Sequence, residues 1–397
     1  DPKVFELLSS GNTLGVFQLE SAGMRVFMKQ LKPDNFEDIV AGISLYRPGP
    51  MDSIPTYIEN KTNPQNVTYL HEKLKPIMEV TYGCLVYQEQ VMQVVRELGG
   101  YTYGRSDLVR RAMGKKKMDV MEEERRYFVY GKEDENGNIE IAGCIRNGVP
   151  EDIANKIFDD MIDFAKYAFN KSHAAAYGVL SYQTAYLKAY YPVEFMAALI
   201  TSVMGNTDKV VEYIRECNAL GIEVLKPDIN KSFSKFSVEG NNIRFGLAAV
   251  KNVGVNNIEN IINERNLNGE FVDFSDLAKR LDSKDTNKRV IESLIKCGAF
   301  DEISENRASL MAGYENVLDS ISMDRKKNVQ GQISLFDVFG ASEENNLQET
   351  NTIPKLPEYQ EREKLSLEKE VLGMYVSGHP LSEFKEILTK NTSIDNG

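Results

Sequence analysis

Along the first half of this chain apolar residues recur at helical spacing in run after run. Glycine or proline closes most of these runs, so the backbone is committed to helices joined by tight corners. The stretch 87–98 carries Val91, Val94, Val95 and Leu98 at close to helical spacing before Gly99 and Gly100 end it. Pro33 opens a short helix over Phe36, Ile39 and Val40, and RPGPM at 47–51 forces an extended turn, because a residue before proline avoids the helical region. Further helices are expected over 107–130, 151–169, 181–191, 192–204 and 207–220, the last ended by Gly221. The opening DPKVFELLSS reads as the interior of a helical element, which suggests trimming or a longer parent.

The texture changes near residue 225. FSKFSVEGNNIRFG at 233–246 alternates Phe236 and Val238, turns through Gly240, Asn241 and Asn242, and resumes at Ile243 and Phe245, the pattern of a β-hairpin. Shorter helices are expected over 256–264, 274–281 and 288–297. Past Asp319 the chain is polar, 341–360 has linker composition, and 361–373 is helix-like. The expected fold class is mostly α-helical and multidomain (α+β): a helical domain over 1–224, a small helix-hairpin-helix domain with a β-hairpin over 225–340, and a linker with a closing segment over 341–397.

The 397 residues suffice for two or three domains. Cys84, Cys144, Cys217 and Cys297 lie far apart in apolar settings, which points to buried thiols in a reduced cytoplasmic environment, and the three histidines form no pair suited to zinc. No segment has the roughly 20 uninterrupted apolar residues of a bilayer span, so no membrane partner is expected. A net charge of −12 argues against a nucleic-acid partner taken over the whole surface. Between Arg105 and Lys117, however, six basic residues face one acid.

Within that patch, SDLVRRAMGKKK at 106–117 offers Arg110 and Arg111 as fork-shaped donors for phosphate oxygens, with Lys115, Lys116 and Lys117 following a glycine. An ordinary solvated basic face is the competing reading. FAKYAFNKSHAAAYG at 164–178 groups Lys171, Ser172 and His173 with Tyr177 and small alanines that permit close approach, or else it is a helix junction with a hydrogen-bonded histidine. In GLAAVKNVGVNNIENII at 246–262 the order of apolar residues and turn matches a helix-hairpin-helix, with Lys251, Asn252, Val253, Gly254, Val255 and Asn256 at the hairpin. Asn252 replaces the usual first glycine and tolerates the left-handed region; a plain helical turn is the alternative. In GQISLFDVFG at 331–340, Gln332, Leu335 and Phe336 have the character of a docking peptide, or of a segment packed on its own chain. No D-x-D lies on a convincing strand, so no metal site and no catalytic residue are nominated. Glu20 and Glu89 stand isolated and read as structural.

Taken together, GVFQLES at 15–21, LYRPGPM at 45–51, YGCLVYQEQVMQ at 82–93, LVRRAMGKKK at 108–117 and FNKSHAAAYGVLSYQT at 169–184 resemble the alpha subunit of bacterial DNA polymerase III, the C-family replicative polymerases. The likeness continues through KPDIN at 226–230, LIKCGAFD at 294–301, QISLF at 332–336 and LGMYVSGHPL at 372–381. It implies that 1–224 are fingers binding the incoming deoxynucleoside triphosphate and the template end, through the arginines, the lysines and Lys171, Ser172 and His173. It implies duplex contacts at 252–256 and sliding-clamp (beta subunit) docking by Gln332, Leu335 and Phe336. The closing GHPL then resembles the approach to an OB domain. The implied enzyme is a bacterial, cytoplasmic DNA-directed DNA polymerase at the replication fork, working on primer-template DNA beside other replicase holoenzyme subunits. Its palm aspartates and Mg2+ are expected outside this chain, so no cofactor is expected here. A separate, non-catalytic DNA and clamp-binding module is the alternative.

Overall fold

The computed structural model describes residues 1–115, 118–165, 167–281, 287–304, 306–329, 353–378 and 380–381. Two compact units divide the chain, 1–190 and 191–397. The described residues are mostly helical with two small sheets, the α+β class expected from the sequence.

The first unit holds two apolar clusters. In one, helices Pro2–Ser10, Ala22–Leu31, Phe36–Leu45 and Lys171–Tyr190 bury Val4, Leu8, Met28, Ile39, Val40, Ala174 and Ala185. The helix Phe36–Leu45 lies close to Lys171–Tyr190 because Gly178 faces Phe36 and Val40, where an added Cβ would sit 3.3 Å from each side chain. The other cluster joins Gln88–Gly99, Tyr103–Gly114, Met118–Tyr130 and Glu151–Ala165 around Val95, Leu98, Val109, Phe128, Phe158 and Met161. The periodic residues Val91, Val94, Val95 and Leu98 are all buried, and Gly100 closes their helix at φ 75°.

Several helix boundaries differ from the sequence expectation. The span 107–130 is two helices, Tyr103–Gly114 and Met118–Tyr130, since a single rod cannot bring Val109 and Phe128 into one core. The helix from Glu151 stops at Ala165, because Phe169 is extended and bridges Tyr87. The helix expected from 181 starts earlier, at Lys171, and runs to Tyr190. Asp1 is not inside the first helix but caps it, its carboxylate accepting from the amides of Lys3 and Val4.

In the second unit the hairpin pairs Ser237–Glu239 antiparallel with Asn242–Arg244, turning at Gly240, and Val224–Leu225 adds a parallel strand to the other edge. The Phe236 and Phe245 rings pack together with centroids 4.7 Å apart, tilted at 58°. Helices Pro192–Ser202 and Thr207–Ala219 pack on this sheet, so the compact units divide at Tyr190/Tyr191, whereas the sequence placed a boundary near 225. Helices Val255–Asn268, Phe274–Arg280, Lys288–Lys296, Arg307–Val329 and Glu361–Leu372 complete the unit. Glu361–Leu372 lies against Lys288–Lys296 inside this unit. A buried ion network fastens it there: Arg307 donates to Asp301 at 2.8 and 2.9 Å and to Glu368 at 2.9 Å, while Glu368 also accepts from the amides of Val376 and Ser377.

Cys144, Cys217 and Cys297 are buried free thiols and Cys84 is half-buried. Among the described residues no helix is long and apolar enough to cross a membrane.

Candidate nucleotide and nucleic-acid interface

The segment Tyr87-Gln88-Glu89-Gln90 joins two basic motifs that lie some sixty residues apart in the sequence. Gln90, 3% exposed, fixes it: its Oε1 accepts from the amides of Val86 and Tyr87, and its Nε2 donates to the Ile77 carbonyl and to Thr81 Oγ1. Four satisfied bonds in a buried setting, each contributing about 1 kcal/mol, leave residues 86 and 87 little freedom. The next two side chains face the motifs. Gln88 Oε1 accepts from Arg110 Nη1 at 3.1 Å, and its amide donates to the Phe169 carbonyl at 2.8 Å. Glu89 accepts from Asn170 Nδ2 and from the Lys171 amide, both at 3.0 Å, while Asn170 Oδ1 accepts from the His173 amide at 2.8 Å. Glu89 therefore secures the start of helix Lys171–Tyr190, the structural role read from its isolation in the sequence.

Around this junction the cationic groups are ordered. Arg110 donates to Asp107 through Nε at 2.8 Å and Nη2 at 2.7 Å, and Arg111 pairs with the other Asp107 oxygen at 2.6 Å. Arg110 has thus engaged three of its nitrogens, whereas the Arg111 side chain is 62% exposed. Hydrogen bonds from Arg110, with charge from both arginines, hold the Asp107 carboxyl below its usual range. Lys171 Nζ pairs with Glu37 at 3.0 Å and lies 5.2 Å over the Tyr87 ring. His173 and Ser172 are exposed, and the His173 ring lies 4.4 Å from Tyr177 and 5.5 Å from Phe169. Arg47 caps the row, 4.5 Å over Phe169, with hydrogen bonds to the Ser44 and Tyr167 carbonyls. Such a surface can present guanidinium and ammonium groups to phosphate oxygens and aromatic edges to a base or sugar.

Lys115 is exposed at the end of its helix; Lys116 and Lys117 lie outside the described residues. Arg105, counted in the basic patch by sequence, instead turns inward to Glu124 at 2.8 Å and Glu140 at 3.3 Å. The sequence reading missed Asp107, Gln88 and Arg47. Only Asp107 had a local signal, an acid three and four residues ahead of two arginines on a helix.

In the second unit the residues 247–258 fold as a tight hairpin between short helices. Leu247, Val250, Val253 and Ile258 are buried, and Asn252 takes φ 66°, the left-handed conformation its position requires. Lys251, Asn252, Gly254, Val255 and Asn256 are exposed, with Gly254 at the cap of Val255–Asn268. The first amides of a helix have no partner in their own helix, so this end can receive a phosphate. The Lys251 amide donates to the Val371 carbonyl, which ties the hairpin to Glu361–Leu372. Gln332, Leu335 and Phe336 lie outside the described residues.

Among the described residues no three His, Cys, Asp or Glu side chains converge as ligands for a metal ion.

The sequence profile for the bacterial DNA polymerase III alpha subunit finger domain matches residues 1–136, and a helix-hairpin-helix profile matches 221–310. DNA polymerase III subunit alpha of Thermus aquaticus is 48% identical over 389 residues, covering 97% of this chain and 30% of the relative. The subunit of the same name from Borreliella burgdorferi is 43% identical over 396 residues (100% of this chain, 33% of the relative), and that of Bacillus subtilis is 42% identical over 400 residues (99% and 34%). The chain spans about a third of the length of these curated relatives. On these profile matches and this likeness along nearly all of its length, the chain belongs to the bacterial DNA polymerase III alpha-subunit family.

Proposed function

We propose that these residues form the nucleotide-facing fingers and the duplex-binding and clamp-binding parts of a DNA-directed DNA polymerase acting in bacterial chromosomal replication, in the cytoplasm at the fork. The observation that carries this reading is the junction at Gln88 and Glu89, where consecutive side chains hold Arg110 and the start of helix Lys171–Tyr190 on one surface. Arg111, with its exposed guanidinium, and Lys171 meet the triphosphate of an incoming deoxynucleotide, and Arg110 is held as their support. Charge that grows on the leaving pyrophosphate is stabilised by such fixed cations. Lys115, Lys116 and Lys117 add field along the DNA backbone, while Ser172, His173 and Tyr177 line the sugar side. The hairpin 251–256 receives a duplex phosphate, and Gln332, Leu335 and Phe336 dock the sliding clamp beside the other replicase subunits.

On this reading the palm aspartates and the magnesium of phosphoryl transfer are supplied from outside this chain, which spans 30% of the Thermus aquaticus relative. What these residues do is bind and orient. The test is titration of the chain with primed DNA and a deoxynucleoside triphosphate at low and high salt, with and without the clamp, against the variants Arg110→Ala, Arg111→Ala and the double Leu335→Ala, Phe336→Ala. Salt-sensitive binding that weakens with the arginine variants, and clamp enhancement that the double variant abolishes, support the reading. Unchanged titrations of folded variants refute those assignments.

A further inference from the structure

Both cationic groups of the proposed phosphate surface are already occupied, each by a carboxylate of the same unit. Asp107 takes two nitrogens of Arg110 on one oxygen and Arg111 on the other, and Glu37 takes Lys171 at 3.0 Å. A carboxylate offers a guanidinium the same paired acceptors as two oxygens of a phosphate, so these acids stand where phosphate oxygens would bind. The two pairs flank one junction, since Gln88 holds Arg110 and Glu89 holds the Lys171 amide.

The two acids are placed to compete and then to return. Asp107 lies on the same helix as its arginines, three and four residues earlier, and Glu37 lies in the first turn of helix Phe36–Leu45. Both pairs border solvent: the side chains of Arg111 and Asp107 are 62% and 24% exposed and those of Lys171 and Glu37 33% and 40%, while the Glu37 Oε2 that faces Lys171 is buried without a hydrogen bond and holds the ammonium by charge alone. Half-open pairs of this kind hold their partners weakly and can be opened by a stronger anion. Arg110 would stay in place when Asp107 lets go, because Gln88 still accepts from its Nη1.

Resting on the reading of this surface as the triphosphate site, we infer that Asp107 and Glu37 are affinity-setting residues, resident counter-charges that an incoming polyphosphate displaces and that re-pair with Arg110, Arg111 and Lys171 as pyrophosphate leaves. The carboxylates thus weaken the hold on the anion without loosening the cations when the site is empty. Their removal tightens binding and slows release.

The experiment is calorimetric and stopped-flow titration of the full chain with inorganic tripolyphosphate and pyrophosphate, for the wild type, Asp107→Asn, Glu37→Gln and the double variant, with thermal melts confirming the fold. Each single variant is expected to bind about five-fold tighter, the effect of removing one opposing unit charge at contact distance in a water-like dielectric. The double variant is expected to gain roughly the product, about 25-fold, through a lower dissociation rate. Unchanged or weaker binding in a folded variant overturns the inference, because an acid that merely orients its cations would cost affinity when lost. If wild-type binding lies below detection, the double variant must bring it into range; failure to do so also overturns the inference. Arg111→Ala combined with Lys171→Ala separates the two levels. Wild-type binding that does not depend on those cations defeats the site itself, whereas dependence on them without a gain in Asp107→Asn or Glu37→Gln defeats only the counter-charge role.

Discussion

Replacing Asn252 by isoleucine should reduce duplex affinity through backbone strain alone. At φ 66° the residue is held in the left-handed region, which a β-branched side chain enters at a cost of about 1–2 kcal/mol. Little packing is lost with the asparagine: its side chain is exposed, and its amide reaches Ser293 Oγ only at 3.4 Å, the long limit of a hydrogen bond. The neighbours that define the hairpin, Val250 and Val253, stay buried, and the Lys251 amide stays tied to the Val371 carbonyl, so relaxation in the free protein is confined to the exposed turn at 252. The strain then falls on the hairpin. If the DNA-bound form requires that conformation, relief in the free protein and its loss on binding weaken affinity by about 5- to 30-fold. Asn252→Gly, which takes the same dihedral without penalty, should bind like the wild type. Fluorescence anisotropy with a labelled duplex at several salt concentrations reads the difference, and the slope against salt should stay constant because no phosphate-facing charge changes. Equal affinities for the isoleucine and glycine variants would refute the assignment of this hairpin to DNA.

Two further outcomes concern the scaffold. Arg307→Met should destabilise the second unit by about 3–5 kcal/mol, since Glu368, 1% exposed, loses its cation while remaining buried, and urea unfolding followed by circular dichroism checks it. Burial pushes the Cys144 and Cys297 thiols up to about 12, so at pH 8 almost none is thiolate and both should resist iodoacetamide in the folded chain yet react in denaturant, as mass spectrometry of the peptides will read.

The local elements were legible because they depend on local chemistry. The valine and leucine spacing before Gly99 and Gly100, the Phe and Ile alternation around Gly240, and an asparagine tolerant of positive φ at 252 each encode a conformation within a few residues. The motifs of the family were likewise written in order along the chain. Tertiary structure decided what those motifs do to one another. No spacing predicts that Gln88 reaches Arg110 or that Glu89 holds the start of a helix eighty residues on, because those contacts exist only once helices have packed. Helix ends were misplaced where a distant partner sets them: Phe169 leaves the helix to pair with Tyr87, and the two helices Tyr103–Gly114 and Met118–Tyr130 bring Val109 and Phe128 into one core. Charge was the least legible property. The sequence counted Arg105 in the basic patch and Asp107 only as that patch's one acid, while the fold turned Arg105 toward Glu124 and set Asp107 between the two arginines. Sequence determines which charges a chain carries and which helix faces bear them; only packing determines which of them are already paired, since pairing depends on through-space distances that the order of residues does not contain.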